Sequence, residues 1–323
     1  MSWHPTDEYR FGPFATSDSG FYPADSSPSG PRPAVATTPF TRTPTSSTLG
    51  RMPLTPTYAV PLEAEVVSRA DFLHVMLRSV LGANFLAPIT MPSYILDLGC
   101  GSGRWVREMS AKFPGARVVG LDVTPPSEVN PAISGTFAVS ASQARAYAFV
   151  QHNVMEPLTF ATSSFDLTHM RLMAGVLPVA VWPQVASEMV RVTSHGGWVE
   201  LAESGMVRNG GPVLATIQRW ALQAIQPQGL DPRITSRLAE LLGRIGLGDV
   251  RTHTIELPVG PHGGRFGELM GADLMARIEG LRAHIIAARL TTPDVFARAQ
   301  EALRLEMTHG EYVQPFYVVC GRR

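Results

Sequence analysis

Between Tyr94 and Gly103 the chain reads Tyr-Ile-Leu-Asp-Leu-Gly-Cys-Gly-Ser-Gly. An apolar strand carries a carboxylate, Asp97, near its end and then breaks into glycines at every second position: Gly99, Gly101 and Gly103. Glycines there permit a sharp reversal into a helix that begins at Arg104, and they let a ligand approach the backbone with no Cβ in the way. The free amides of such a turn and the helix N-terminus favour polar or anionic groups. Open α/β sheets bind ligands at such strand ends. The flanking sequence agrees with that architecture. Strand-like runs at Tyr94–Leu98, Arg117–Asp122, Ala148–Gln151, Phe165–His169 and Gly197–Ala202 alternate with helical stretches such as Arg104–Lys112 and Val181–Val192. Strands alternating with helices predict βαβ units and a parallel sheet.

The spacing narrows the cofactor. A dinucleotide fingerprint places its glycines G-x-G-x-x-G, whereas here Gly101 is followed by Gly103. The carboxylate of Asp97 is also ill-placed beside a pyrophosphate. A cofactor with a cationic group and no phosphate fits better, and S-adenosylmethionine (SAM) has both properties. Asp97 would meet its ammonium, directly or through water. Asp122 ends the second strand 19 residues beyond Gly103, where a carboxylate accepts from both ribose hydroxyls, with Val123 beside it. Asn153 can accept from the adenine amino group, and Val154 can donate a backbone N–H to the ring. Gly99, Cys100, Gly101 and Gly103 would form the turn beneath the cofactor. Plain strand-end and loop roles for Asp122 and Asn153 stay open.

The order of these features resembles the class I SAM-dependent methyltransferases, from about Tyr58 to Arg323. The resemblance includes Ser164-Phe165-Asp166-Leu167 and the segment from Glu188 to Glu200 with its Gly196-Gly197 turn. Within that class the chain is similar to secondary-metabolism-type methyltransferases, including fungal regulator-like members. Their N-terminal pattern looks like Tyr58, Pro61, Glu63, Glu65, Arg69 and His74 here. Two departures are plain. The family usually has an acid where this chain has Asn153, although an amide oxygen also accepts. Ser194 and His195 stand where Lys-Pro is common.

The resemblance implies a Rossmann-like α/β fold with a seven-stranded, mostly parallel sheet, helices on both faces and an added helical cap. It also implies SAM as cofactor, S-adenosylhomocysteine as product and a small-molecule acceptor. The fourth strand ends beside the methyl in this fold, with Thr168 near the cofactor. The segment Thr168-His169-Met170-Arg171 lacks the Asn/Asp-Pro-Pro-Tyr tetrad of adenine and glutamine N-methyltransferases. His169 is the expected catalytic base or acceptor-orienting group, since an imidazole titrates near 6.5; a packed, hydrogen-bonded histidine is the alternative. Arg69 and His74 on the N-terminal helix are expected to reach the cofactor carboxylate or line the acceptor pocket, with a solvent-facing role as the alternative, and Trp105 to pack beside the cofactor or in the core.

Composition sets the remaining bounds. Lys+Arg and Asp+Glu are both 27, so there is no chain-wide field for nucleic acid or an anionic membrane. Two cysteines, Cys100 and Cys320, are too few for a disulfide framework or a Cys-rich zinc site, and the histidines show no metal-binding spacing. With no long apolar run and no signal-like N-terminus, the expected location is cytoplasmic. Nothing fixes an oligomeric state, and a homo-oligomer stays open.

Residues 1–57 contain ten prolines and are mostly Ser, Thr, Pro or Gly, which predicts a disordered tail. Residues 58–92 read as an N-terminal helical cap segment and 93–204 as the SAM-binding core. Residues 205–323 read as the rest of the sheet with a helical insertion, from about Val259 to Glu311, that caps the substrate. Its apolar residues suggest a small, apolar acceptor. A SAM-binding regulator of the same fold that acts through partner proteins remains the alternative, and an NAD(P) oxidoreductase is disfavoured by the glycine spacing.

Overall fold

The computed structural model describes residues 64–126 and 146–323. The expected tail and the Tyr58, Pro61 and Glu63 part of the N-terminal pattern lie outside them.

The βα alternation is observed. Strands β1 (Tyr94–Leu98), β2 (Arg117–Asp122), β3 (Tyr147–Gln151), β4 (Phe165–Arg171), β5 (Thr193–Ser204), β6 (Gly248–Val259) and β7 (Tyr312–Arg322) form one sheet in the order β3-β2-β1-β4-β5-β7-β6. The first five strands pair in parallel, and β7 is antiparallel to both β5 and β6. The seven-stranded, mostly parallel Rossmann-like sheet is therefore as expected.

Helices α1 (Ala64–Leu81), α2 (Arg104–Lys112), α3 (Trp182–Val192), α4 (Pro212–Ile225), α5 (Leu238–Arg244), α6 (Gly264–Gly280), α7 (Arg282–Ala287) and α8 (Pro293–Met307) complete the chain. Alternate residues of a strand face opposite sides of the sheet, so each face has its own core. Leu96, Leu121, Met170, Trp182 and Met189 pack on one face; Ile95, Trp105, Met109, Phe149 and Trp198 pack on the other.

Helix α8 has Pro293 in its first turn, and the Thr292 side chain accepts from the Val295 amide, a standard N-cap. The expected break in the 266–290 stretch falls at Leu281, between α6 and α7. Helix α4 has no counterpart in the sequence reading. Its apolar residues Leu214, Ile217, Ala221, Leu222 and Ile225 recur at helical spacing on one face, which lines a cavity. Strands β4 and β5 also run further than expected, to Arg171 and Ser204. Those extra residues bring the end of the sheet to the site. Among the described residues no helix is long and apolar enough to cross a membrane.

Candidate active site

Register brings four polar side chains into one row. Asp97 on β1 stands beside His169 on β4, His169 beside Glu200 on β5, and Glu200 beside Cys320 on β7. The row is buried: Asp97 is 4% exposed, and His169 and Glu200 are each 1% exposed. Buried polar groups need partners, and all but His169 Nε2 among the Asp97, His169 and Glu200 side chains are placed against one. His169 Nδ1 lies 2.7 Å from Asp97 Oδ1. Glu200 Oε2 accepts from the Leu86 and Ala87 amides at 2.8 and 2.6 Å, tying the segment after α1 to the sheet. Burial raises the Glu200 carboxyl above its ordinary range, opposed by His169 and these two amides. Trp105 stacks on His169 with ring centroids 4.1 Å apart and planes within 4°.

The glycine turn is committed inward. The amides of Gly99 and Cys100 both donate to Leu121 O, at 2.7 and 3.0 Å, and Gly103 N donates to Cys100 O. Gly101 N donates to Asp122 Oδ2 at 2.9 Å, while Asp122 Oδ1 accepts from Thr124 N. Four amides that could have cradled a phosphate are thus engaged within the protein. What the turn offers a ligand is carboxylate oxygen.

A cavity of about 540 Å³ opens above this turn, walled by Asp97, Gly101, Asp122, Asn153 and His169 among others. Its far side carries His74 and Arg171. Arg171 donates to His74 Nδ1 at 2.8 Å, and His74 Nε2 lies 3.1 Å from Glu108 Oε2. With Nδ1 accepting, the proton sits on Nε2, and burial lowers the imidazole pKa despite the pull of Glu108. Arg171 is half-buried, within electrostatic reach of Asp97, Glu200, Glu108 and Glu203.

A second cavity, about 290 Å³, lies beneath α1, α4 and α6 and is mostly apolar. Leu172, at the end of β4 with a left-handed φ of 59°, lines both cavities. Polar groups in the second wall are few. Asp273, 5% exposed, is paired with Arg277 Nε at 2.8 Å and Arg69 Nε at 3.5 Å. Arg277 also donates to Gln314 Oε1. Glu203 is 1% exposed and accepts from the Met173 and Ala174 amides at 2.6 and 3.2 Å.

The expected site residues divide accordingly. Asp97, Gly99, Cys100, Gly101, Asp122, Val123, Asn153, Val154 and His169 all line the first cavity, as does Trp105. Asn153 Oδ1 is turned onto the Met155 amide at 3.0 Å, so only its remaining lone pair is left for an adenine amino group.

Three cofactor assignments need correction. Arg69 lines the second cavity on Asp273, not the first. Thr168 faces the opposite side of the sheet from His169, and its hydroxyl bonds Thr193 Oγ1 in the core at 2.8 Å. Gly103 lies outside the cavity wall; an added Cβ there would stand 2.3 Å from the Phe149 ring, so its role is close packing.

The base assignment of His169 changes too. One ring nitrogen bonds Asp97, and the other faces Glu200 Oε1 at 4.0 Å. Both ring nitrogens therefore face carboxylates. Residues that the sequence reading did not single out are Arg171, Glu203, Asp273 and Arg277. For Glu203 a signal existed, a second acid three residues after Glu200 in the apolar part of β5.

A family model described as a methyltransferase domain matches residues 95–197, the stretch from β1 to the Gly-Gly turn. Methyltransferase str3 of Strobilurus tenacellus is 28% identical over 216 residues, covering 64% of this chain and 72% of that protein. Methyltransferase pytC of Aspergillus terreus is 25% identical over 284 residues, covering 82% and 83%. The secondary metabolism regulator laeA of Monascus pilosus is 28% identical over 148 residues, covering 45% of this chain and 37% of the regulator.

Proposed function

The chain is a class I SAM-dependent methyltransferase, and from that premise we propose that it methylates an O, N or C centre of a small, apolar molecule of secondary metabolism. The observation that carries this reading is the pairing of two unlike cavities across Leu172. The first suits the cofactor's chemistry. Its turn has engaged its own amides and presents Asp97 and Asp122, a poor host for a pyrophosphate and a good one for an ammonium and a ribose diol. An added Cβ at Gly101 would meet no protein atom within 4 Å, so the space above the turn is ligand space. SAM supplies an electrophilic methyl group on a sulfonium.

The protein's own part is to hold and exclude. Asp97 binds the ammonium, fixed in place by His169, which we read as a positioning residue. Asp122 shapes the turn with one lone pair of each oxygen and offers the others to the ribose. Val123, Asn153 and Val154 border the adenine. The second cavity then holds the acceptor in line with the methyl, and such positioning supplies much of the acceleration in a displacement. A wholly regulatory role is supported by the similarity to laeA, but a second cavity bordered by the same leucine favours catalysis.

Thermal denaturation with ligands tests the reading. SAM and S-adenosylhomocysteine should each raise Tm, by linkage to the native state, and NADH should not. Mass spectrometry of apolar metabolites incubated with SAM and the purified chain should show a gain of one methyl. Stabilisation by NADH alone would overturn the cofactor assignment.

A further inference from the structure

The mechanism above leaves Glu203 unused, although it is a buried acid at the partition between the cavities. Its two amide donors belong to Met173, which lines the first cavity, and Ala174, which lines the second. Both follow Leu172 directly. We propose that Glu203 takes the proton from a hydroxyl of the acceptor, so that the second cavity binds an apolar molecule bearing a weakly acidic hydroxyl. This rests on the reading of the chain as a small-molecule methyltransferase.

Two acids line the second cavity, and only one is suited to the task. Asp273 is held between the guanidinium groups of Arg277 and Arg69, with one carboxylate oxygen facing each. Glu203 is held by neutral amides, and each of its oxygens keeps a lone pair. Burial pushes its carboxyl up to about 8, against the pull of the two amides and of Arg171. A base poised near neutrality is the efficient kind.

The same cavity selects among acceptors. An ammonium would enter beside Arg69 and Arg277, a like-charge encounter, whereas a hydroxyl enters neutral and loses its proton only as it reacts. The step balances. The acceptor oxygen forms a bond to the methyl carbon as the carbon–sulfur bond breaks and its pair stays on sulfur. The hydroxyl proton passes to Glu203 and from there to solvent. The charged or titratable groups around Glu203 are Arg171 at the end of β4, Tyr317 opposite it on β7, Arg69 on α1, and Asp273 and Arg277 on α6.

The test uses the full chain, SAM, a naphthol and a butylphenol as probes, and arylmethylamines of similar shape, which are ammonium ions at neutral pH, as controls. SAM binding is followed by calorimetry and methyl ether formation by mass spectrometry across pH. The wild type should bind SAM, bind the phenols and form methyl ethers, with little product from the amines. Glu203→Gln should bind SAM within about 2-fold of wild type but lose about 100-fold in ether formation near neutral pH. Its rate should climb with pH as the phenol ionises unaided. Glu203→Asp should be slower than wild type yet keep the wild-type pH profile, and it decides the matter if the glutamine variant fails to fold.

A glutamine variant with wild-type rate, or with the same loss at every pH, overturns the proposal. So does a wild type that binds SAM but methylates only the amines or binds none of the phenols. A wild type that fails to bind SAM overturns the underlying reading of the first cavity instead.

Discussion

The two cavities are built by opposite strategies. The first draws its chemistry from one turn, residues 97–103, and from the ends of neighbouring strands, with carboxylates fixed by backbone amides or by His169. The second is assembled from α1, the end of β5, α4, α6 and β7, and its few polar groups are held by one another or by amides. A cofactor with a fixed set of groups can be met by one local turn. An acceptor of particular shape needs a wall gathered from distant parts of the chain. Titration follows depth of burial and partners rather than cavity, since Glu200 is raised as Glu203 is. Near the first cavity, burial would raise Glu108, but hydrogen bonds from His74 and Asn84 and the charges of His74 and Arg78 hold it down at about 2. Beside the second, deeper burial of Glu203 outweighs its two amides and Arg171, and it rises to about 8.

The sharpest way to break this division is a pair of substitutions. Asp97→Asn removes the charge that meets the cofactor's ammonium. A hydrogen bond to a charged group contributes about 1.5–3 kcal/mol, so calorimetry should show SAM affinity falling about 10- to 100-fold. Ala221→Phe, on α4 in the wall of the second cavity, fills acceptor space. It should raise the acceptor KM by about 10-fold or more while SAM affinity stays within about 2-fold. If both variants lose SAM affinity alike, the cavities are one site.

Two glycines in the same turn separate fold from function. Gly103→Ala puts a methyl 2.3 Å from the Phe149 ring and 3.1 Å from Pro126, at a φ of 73°. The left-handed backbone costs about 1–2 kcal/mol, and overpacking adds about 1–3 kcal/mol. Denaturant unfolding should therefore show a large loss of stability. Gly101→Ala, at a φ of 51° with open space beyond it, should lose only the backbone contribution, about 1–2 kcal/mol. Its methyl stands in the first cavity, so SAM binding should suffer more than stability. Equal loss of stability in the two variants would show that the space above Gly101 is not ligand space.

These particulars also show what a sequence can and cannot reveal. The turn, Asp97 and Asp122 were legible because their roles depend on neighbours within a few residues and on strand ends that the alternation marks. His169 was legible as a residue of the site but not as a partner of Asp97. That contact joins residues 72 apart and depends on how β4 sits against β1. Thr168 illustrates strand parity: once His169 faces the cavity, its neighbour must face the core. Arg69 and Asp273 meet across α1 and α6, an encounter that no local pattern encodes.

The smallest effect concerns Glu203 and the pH dependence of stability. An ordinary glutamate in the unfolded chain titrates near 4.3, while in the fold Glu203 titrates at about 8. Below about pH 4 both states hold the proton and folding is unaffected. As pH rises towards 8, the unfolded chain gains by ionising and the folded chain does not, so stability is progressively lost. Glu203→Gln removes that slope. The variant also gives up one acceptor for the Met173 or Ala174 amide, a loss independent of pH, so the readout is the change in the difference between the two proteins. His74, lowered by burial, works in the opposite sense as pH falls below its ordinary value, and Glu200, raised by burial, in the same sense as Glu203. Both are present in wild type and variant and largely cancel. Between about pH 5 and about pH 8 the Tm of the wild type should fall relative to the variant by ~2–4 °C for each kcal/mol of linkage. A difference in Tm that stays constant across that range would mean that Glu203 is ionised in the folded protein at neutral pH, and its assignment as a base poised near neutrality would fall.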